Sequence, residues 1–241
     1  MIFFTEKLSQ HGGKIPLTVS QQQHVKANRL ALDAQVIFSD QISYAEGTLV
    51  VEKKNTFFQY TSTQMILKKH ALPYVHLYFG IFKPDRMSWM IEKTTELGVS
   101  EFTPLYTDRT QNHYWNNNSI SRLESVIESA CIQSKQLIKP KLNSPSVLKN
   151  LNFQPSDPNQ IWYLADIITN PENTDTIQML PTPAEKICIF IGPEGGWSPA
   201  EQGFFPNHIQ RIALQGPILR SETAAIAICS IFSYNNCLII K

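Results

Sequence analysis

Two apolar runs near the C-terminus, each ended by a Gly/Pro turn, constrain this chain more than any other feature. The first reads KICIFIGPEGGWSPAEQ over residues 186–202, the second IQRIALQGPILRSETAAIAI over residues 209–228. In both, a stretch of strand length stops at a turn and then opens into a helical pattern. A strand that ends in glycine leaves its backbone N–H groups unobstructed by side chains. In open α/β sheets, ligands bind outside the carboxyl ends of the strands. The turn Gly192-Pro193-Glu194-Gly195-Gly196 is not a phosphate loop, because it lacks the GxxxxGK[ST] spacing and no Lys follows it. Two tight turns of an ordinary parallel sheet explain the same composition.

A length of 241 residues accommodates one large domain or two small ones, and an apolar fraction of 42% supplies a sizeable core. Charge is nearly balanced overall but uneven along the chain. Residues 1–70 hold eight Lys/Arg against five Asp/Glu, and residues 71–241 hold thirteen against fifteen. That asymmetry permits a nucleic-acid-facing N-terminal part without demanding one. The four cysteines (Cys131, Cys188, Cys229, Cys237) show no CxxC spacing. Reduced thiols are therefore expected, and neither a metal site nor a disulfide framework. The opening Met1-Ile2-Phe3-Phe4 meets Glu6 at once, unlike a signal peptide, and no apolar run approaches bilayer length. A soluble, cytoplasmic protein with no membrane partner is the expectation.

The first 70 residues read as short strands at Gln35–Phe38, Thr48–Val51 and Phe57–Met65, with a polar helix over Ser20–Leu30 carrying His24, Lys26 and Arg29. Short strands in so small a unit suggest a compact barrel of the kind that grips RNA. The same three basic residues also fit an ordinary solvated helix face. Ala71-Leu72-Pro73 marks a boundary, after which strands alternate with helices as in a parallel sheet. Tyr74–Phe82 is the candidate central strand. Pro84 opens a helix running to Leu97, with Met87, Met90, Ile91, Thr94 and Leu97 at core spacing and Gly98 as its stop. Glu101–Thr107 is a strand, Gln111–Asn118 an exposed loop, and Ser119 caps a helix reaching toward Gln136. Residues Pro140–Pro158 and Pro171–Pro183 read as irregular around a strand at Ile161–Leu164. Ile218–Tyr234 reads as a helix buried on most sides.

IGPEGGWSPAE (191–201) followed by ILRSETAAIA (218–227) closely resembles the signature of the RsmE family of bacterial 16S rRNA uridine-N3 methyltransferases, members of the SPOUT, or trefoil-knot, superfamily. Met90–Val99 followed by Thr103-Pro104-Leu105 is similar to that family's KxxELGVxxxxPL region. Asp108-Arg109 resembles its acidic-Arg pair, and His24 with Arg29 resembles a His…Leu-Arg element of its PUA-like barrel. The resemblance covers nearly the whole chain. It implies an α/β protein with a PUA-like RNA-binding β-barrel over residues 1–70 and a SPOUT methyltransferase domain over 73–241, the latter tied in a C-terminal trefoil knot. Generic reasoning discards knots as rare.

The resemblance further implies a homodimer with the small ribosomal subunit, or its 16S rRNA, as partner. S-adenosylmethionine is the implied cofactor, lying among three loops. These are Leu164-Ala165-Asp166, then Gly192, Pro193, Glu194, Gly195 and Gly196, then Leu214, Gln215, Gly216, Ile218, Leu219 and Arg220, with Thr223 placed to hydrogen-bond in the knot. Alignment of the methyl with uracil N3 and removal of the N3 proton are the tasks such a site must perform. Arg220 is the candidate to steady a uracil oxygen as charge develops. Its alternative is an ion pair with Glu222 or Glu194, which are themselves candidate proton acceptors or structural groups. The N-terminal barrel (His24, Lys26, Arg29) and Arg109 are the expected RNA contacts. No zinc or flavin is implied.

Three departures from the family pattern stand out. Gln215 stands where glycine is common, with Gly216 one place later. Ile132 and Gln136 replace a carboxylate and an arginine, and the element around Arg29 is one residue short. Another SPOUT reaction, on ribose 2′-O or guanine N1, and a noncatalytic rRNA-binding assembly factor are the rival readings.

Overall fold

The computed structural model describes residues 1–31, 33–53, 55–66, 73–111, 114–153, 160–166, 186–214 and 216–234. Gln215, Cys237, the Ala71-Leu72 boundary and the Pro171–Pro183 stretch lie outside the described residues. The chain divides into two compact units. One comprises Met1–Lys68 with Cys131–Lys139, the other Lys69–Ala130 with Pro140–Lys241.

In the first unit, β1 (Ile2–Phe4), β2 (Gly13–Pro16), β3 (Gln35–Ser39), β4 (Ser43–Glu52) and β5 (Asn55–Tyr60) form one ladder in the order β1-β3-β4-β5-β2. Strand β1 runs parallel to β3 and the other pairs are antiparallel; a short β6 (Gln64–Met65) pairs with β4. Alternation decides which side chains go inward. Val36 and Phe38, Ala45 and Leu49, and Phe58 and Tyr60 are all buried in one core. Phe38 and Phe58 stack with ring centroids 4.1 Å apart, and Phe58 stacks on Tyr60 at 5.2 Å. The single strand expected over Phe57–Met65 is broken after Tyr60, and β1 and β2 are additions to the expected set.

Helix α1 (Val19–Ala27) starts one residue earlier than the composition suggested, because Thr18 and Gln21 form a capping box. It also stops earlier. The Leu30 N–H bonds to the Val25 carbonyl and the Arg29 N–H to Lys26, with Arg29 in the left-handed region at φ 50°. Residues 131–139 group with this unit through contacts such as the Ser39 hydroxyl donating to the Leu137 carbonyl at 2.6 Å.

The second unit is a parallel sheet. Its strands are β7 (Tyr74–Gly80), β8 (Glu101–Tyr106), β9 (Lys141–Leu142), β10 (Ser146–Val147), β11 (Gln160–Ala165), β12 (Lys186–Ile191) and β13 (Gln210–Ile212). The order is β10-β8-β7-β12-β11-β13, with β9 also on β8. Strands β9 and β10 lie in a stretch expected to be irregular. Strand β12 enters between β7 and β11, with Ile191 beside Phe79 and Phe190 beside Leu164. The chain then crosses to the far side of β11 to form β13.

Helix α2 (Pro84–Glu96) buries Met87, Met90, Ile91 and Thr94 as the spacing predicted, while Leu97 is half-buried. Helix α3 spans Ser119–Ser134. Tyr114 is buried, so the preceding segment is not wholly exposed. The last helix, α5, is Ser221–Tyr234 rather than Ile218–Tyr234, and it packs against α2. Glu222, Ala225, Ile228, Cys229, Phe232 and Ser233 are buried, and its other described side chains are half-buried. Opposite these helices, Tyr78, Trp162, Phe190, Trp197 and Phe205 share one aromatic cluster. No described helix is long and apolar enough to cross a membrane.

Candidate active site

Because the sheet is parallel, β11, β12 and β13 present their carboxyl ends on one edge. A cavity of about 460 Å³ opens there, within the size range of small-molecule sites. Ala165 and Asp166 border it from β11, and Ala213 and Leu214 from β13. The Asp166 N–H bonds to the Ile212 carbonyl at 2.9 Å, and its carboxylate accepts from Arg211 at 2.6 Å. The third wall is the turn after β12. A bond from the Gly196 N–H to the Pro193 carbonyl at 2.8 Å closes that turn, with Gly196 at φ +72°, a conformation costly for any residue with a Cβ.

Several groups hold this turn. The Arg109 guanidinium donates to the Gly195 carbonyl. Next along, Ser198 and Glu201 form a capping box at the start of the short helix α4 (Pro199–Gln202). Glu201 is buried; its second oxygen accepts the Asp108 N–H at 2.9 Å, and the Ser198 hydroxyl donates to the Asp108 carboxylate. Beneath the turn lies the Trp197 indole, whose nitrogen would stand 3.2 Å from a Cβ on Gly192. That nitrogen is buried with no hydrogen-bond partner among the described residues.

A guanidinium also borders the cavity from α2. Arg86 donates to Glu194 at 2.6 Å and approaches Glu222 at 3.6 Å. Arg220, by contrast, is exposed in the lining with no side-chain hydrogen bond or ion pair among the described residues. The pairing of Arg220 with Glu194 or Glu222, weighed from the sequence, is therefore not formed, because Arg86 takes both carboxylates. Nor does Arg220 lie in the helix. Its carbonyl accepts the Ala224 N–H at 2.8 Å, which places it just ahead of the first turn of α5.

A family model for the RNA methyltransferase domain matches residues 69–233. The ribosomal RNA small subunit methyltransferase E of Buchnera aphidicola is 31% identical over 191 residues, covering 73% of this chain and 70% of that protein. This chain belongs to the ribosomal RNA small subunit methyltransferase E family. Among solved structures, the family member from Neisseria gonorrhoeae, described as bound to S-adenosyl methionine, superposes with a TM-score of 0.82. It is 23% identical, with 95% of this chain and 94% of that one covered. A Legionella pneumophila protein described as a methyltransferase with bound cofactor SAM also gives 0.82, at 25% identity and 97% coverage of both chains. The fold is the mixed α/β fold of these methyltransferases.

Of the residues that the family resemblance nominated, the cavity brings together Ala165, Asp166, Gly192, Pro193, Glu194 and Gly196 from the first two loops. Leu214, Gly216, Ile218, Leu219 and Arg220 border it from the third. Leu164 faces the aromatic core instead, since alternation along β11 turns it inward. Gly195, Glu222 and Thr223 are not part of the lining. Glu222 is 5% exposed, behind Arg86. In the first unit, Lys26 and Arg29 are exposed, whereas His24 is half-buried with its ring edge-on to Phe3 at 6.0 Å.

Sequence reasoning missed Arg86, Trp197 and Glu201. For Arg86 a signal existed: a cation in the first turn of a helix sits at the wrong end of the dipole, which calls for a compensating partner. Neither Cys188 nor Cys229 is a nucleophile here, since burial pushes the first thiol up to about 11 and the second up to about 12.

Proposed function

We propose that this chain methylates N3 of one uridine in 16S rRNA of the small ribosomal subunit, using S-adenosylmethionine. The observation that carries the reading is the meeting of three strand ends on one cavity, with the GPEGG turn as a wall, in a member of this family. The residues suit the cofactor. Gly192, Gly196 and Gly216 keep side chains out of the space, Ile191 and Leu214 offer apolar surface for an adenine, and Asp166 offers a carboxylate for hydroxyl or ammonium donors. When bound, S-adenosylmethionine supplies an electrophilic sulfonium methyl. The protein's task is then alignment, and stabilisation of the uracil anion as N3 loses its proton. Among the described lining residues, Arg220 is the unpaired cation, and it takes that role in this reading. Glu194 and Glu222, both engaged by Arg86, belong to the frame of the site.

The same reading extends to the fold and its surroundings. We take residues 1–70 as a PUA-like barrel, supported by one ladder around a single aromatic core. Residues 73–241 are taken as a SPOUT domain whose C-terminal segment is knotted, supported by the insertion of β12 between β7 and β11 before the crossing to β13. His24, Lys26, Arg29 and Arg109 are the RNA contacts in this reading, and a cytoplasmic homodimer is the working form.

Mass spectrometry of 16S rRNA nucleosides from a strain lacking the gene tests the reaction. Loss of 3-methyluridine, restored by the gene, is the expected result. An unchanged 3-methyluridine level overturns the reading, and loss of a 2′-O-methylated nucleoside or 1-methylguanosine in its place selects a different methylation.

A further inference from the structure

Arg86 stands in the first turn of α2, where the helix dipole disfavours a cation. Two carboxylates from different parts of the pocket frame hold it there. Glu194, in the turn after β12, takes one Nη at 2.6 Å, and Glu222, in the first turn of α5, lies 3.6 Å from Nε. Glu222 is nearly inaccessible, and its Oε2 has no hydrogen-bond partner among the described residues. A buried carboxylate with one oxygen unpaired depends on the cation nearest to it. The trio of two acids and one base therefore has no surplus cation.

We propose that Arg86 is a positioning residue. By holding Glu194 and Glu222 on one guanidinium, it sets the separation between the GPEGG turn and the start of α5, and with it the affinity for cofactor. This inference rests on reading the cavity as the S-adenosylmethionine site. Without Arg86, the two carboxylates share one region with no cation paired to either among the described residues, and the buried one is drawn toward water, taking the start of α5 with it. Replacing Glu222 by its amide isostere removes that uncompensated charge while keeping its shape. Loss of packing around Arg86 would not be repaired by such an exchange.

The test is isothermal titration of the full chain with S-adenosylmethionine, for the wild type, Arg86→Met and Arg86→Met/Glu222→Gln, with thermal unfolding of each. The expected result is a Kd at least about tenfold weaker in Arg86→Met and back to within about threefold of wild type in the double variant. Wild-type affinity in Arg86→Met overturns the proposal. Equal weakness in both variants also overturns it, and leaves lost packing, which lowers the unfolding midpoint, or direct contact with the ligand, which does not, as the role of Arg86. Failure of the wild type to bind at millimolar ligand overturns the reading of the cavity itself, before any substitution is made.

Discussion

Gly80, the last residue of β7, faces Pro193 so closely that a Cβ on Gly80 would stand 2.6 Å from the Pro193 nitrogen and 2.7 Å from its Cδ. Both are atoms of the backbone or of a ring joined to it, so no rotamer change relieves the clash. Carbon contacts normally settle near 3.5 Å, and the turn would have to retreat by roughly 1 Å. Strand β7 thus sets the position of this wall of the cavity from below.

Gly80→Ala is expected to destabilise the fold modestly, by about 1–3 kcal/mol as in other overpacked sites. Its effect on binding should be of comparable size, about a tenfold rise in the Kd for S-adenosylmethionine, or about 1.4 kcal/mol. Calorimetry on the folded variant measures this, and an unchanged Kd would show that the turn is placed independently of β7.

Those parts of the structure that depend on local pattern were legible in the sequence. The spacing of Met87, Met90, Ile91 and Thr94 predicted the buried face of α2, and the apolar runs predicted β7, β11 and β12. Strands of two to four residues such as β1, β9 and β10 were not, because they are too short for a periodic signal and exist through pairing with distant partners. In the site, the glycine-rich turn and the ILR segment stand out by composition. Arg86 and Gly80 do not. Their roles come from the side-by-side placement of β7 and β12, with 108 residues of sequence separating Arg86 from Glu194. That relationship is tertiary: a cation in the first turn of α2 signals the need for a partner, but the sequence does not say that the partner is Glu194.

Arg29 occupies the left-handed position after α1, at φ 50°, where glycine is the usual residue. The conformation costs a residue with a Cβ about 1–2 kcal/mol. Arg29→Gly is therefore expected to stabilise the protein by up to about 1 kcal/mol, since glycine gives back part of the gain as chain entropy. If Arg29 contacts rRNA, the same variant binds rRNA more weakly. A higher midpoint in urea together with weaker binding at fixed salt is the expected pair of results, and a lower midpoint would show that Arg29 is held by contacts worth more than its strain.

His76 is 4% exposed, with its Nε2 2.8 Å from the Thr103 hydroxyl, its ring stacked on Tyr78, and Glu101 3.2 Å from Nδ1. Burial pushes the imidazole well below its usual range, and the Lys186 and Lys141 ammonium groups add to this, outweighing the opposing pull of Glu101. Burial would raise Glu101, yet its carboxyl is held below the usual range by the hydrogen bond from Asn143, with His76, Tyr74 and Lys141 acting in the same direction. Both depressions have one sign for stability: the unfolded chain takes up protons first as pH falls. For His76 the contribution is complete above about pH 6.5 and is lost progressively below it, until the folded imidazole also protonates. Thermal unfolding between pH 7 and pH 5 should show a falling midpoint, and His76→Gln should flatten that slope. An unchanged slope would place the acid sensitivity elsewhere.

Arg109, which holds the GPEGG turn, and Arg220, in the lining of the cavity, are expected to fail in different ways. Arg109 gives a guanidinium N–H to the Gly195 carbonyl, so its removal frees a wall of the pocket. Arg109→Ala should weaken S-adenosylmethionine binding, and an RNA-phosphate role would add a loss of rRNA affinity and a shallower salt dependence. Arg220 makes no side-chain hydrogen bond or ion pair among the described residues, so its removal breaks none of the bonds that hold the frame. If it steadies the uracil anion, Arg220→Ala should lower the methylation rate by about 10²–10³, the usual cost of one donor to a developing charge, with the cofactor Kd close to wild type. Equal losses of rate and cofactor affinity in Arg220→Ala would assign that residue to the cofactor.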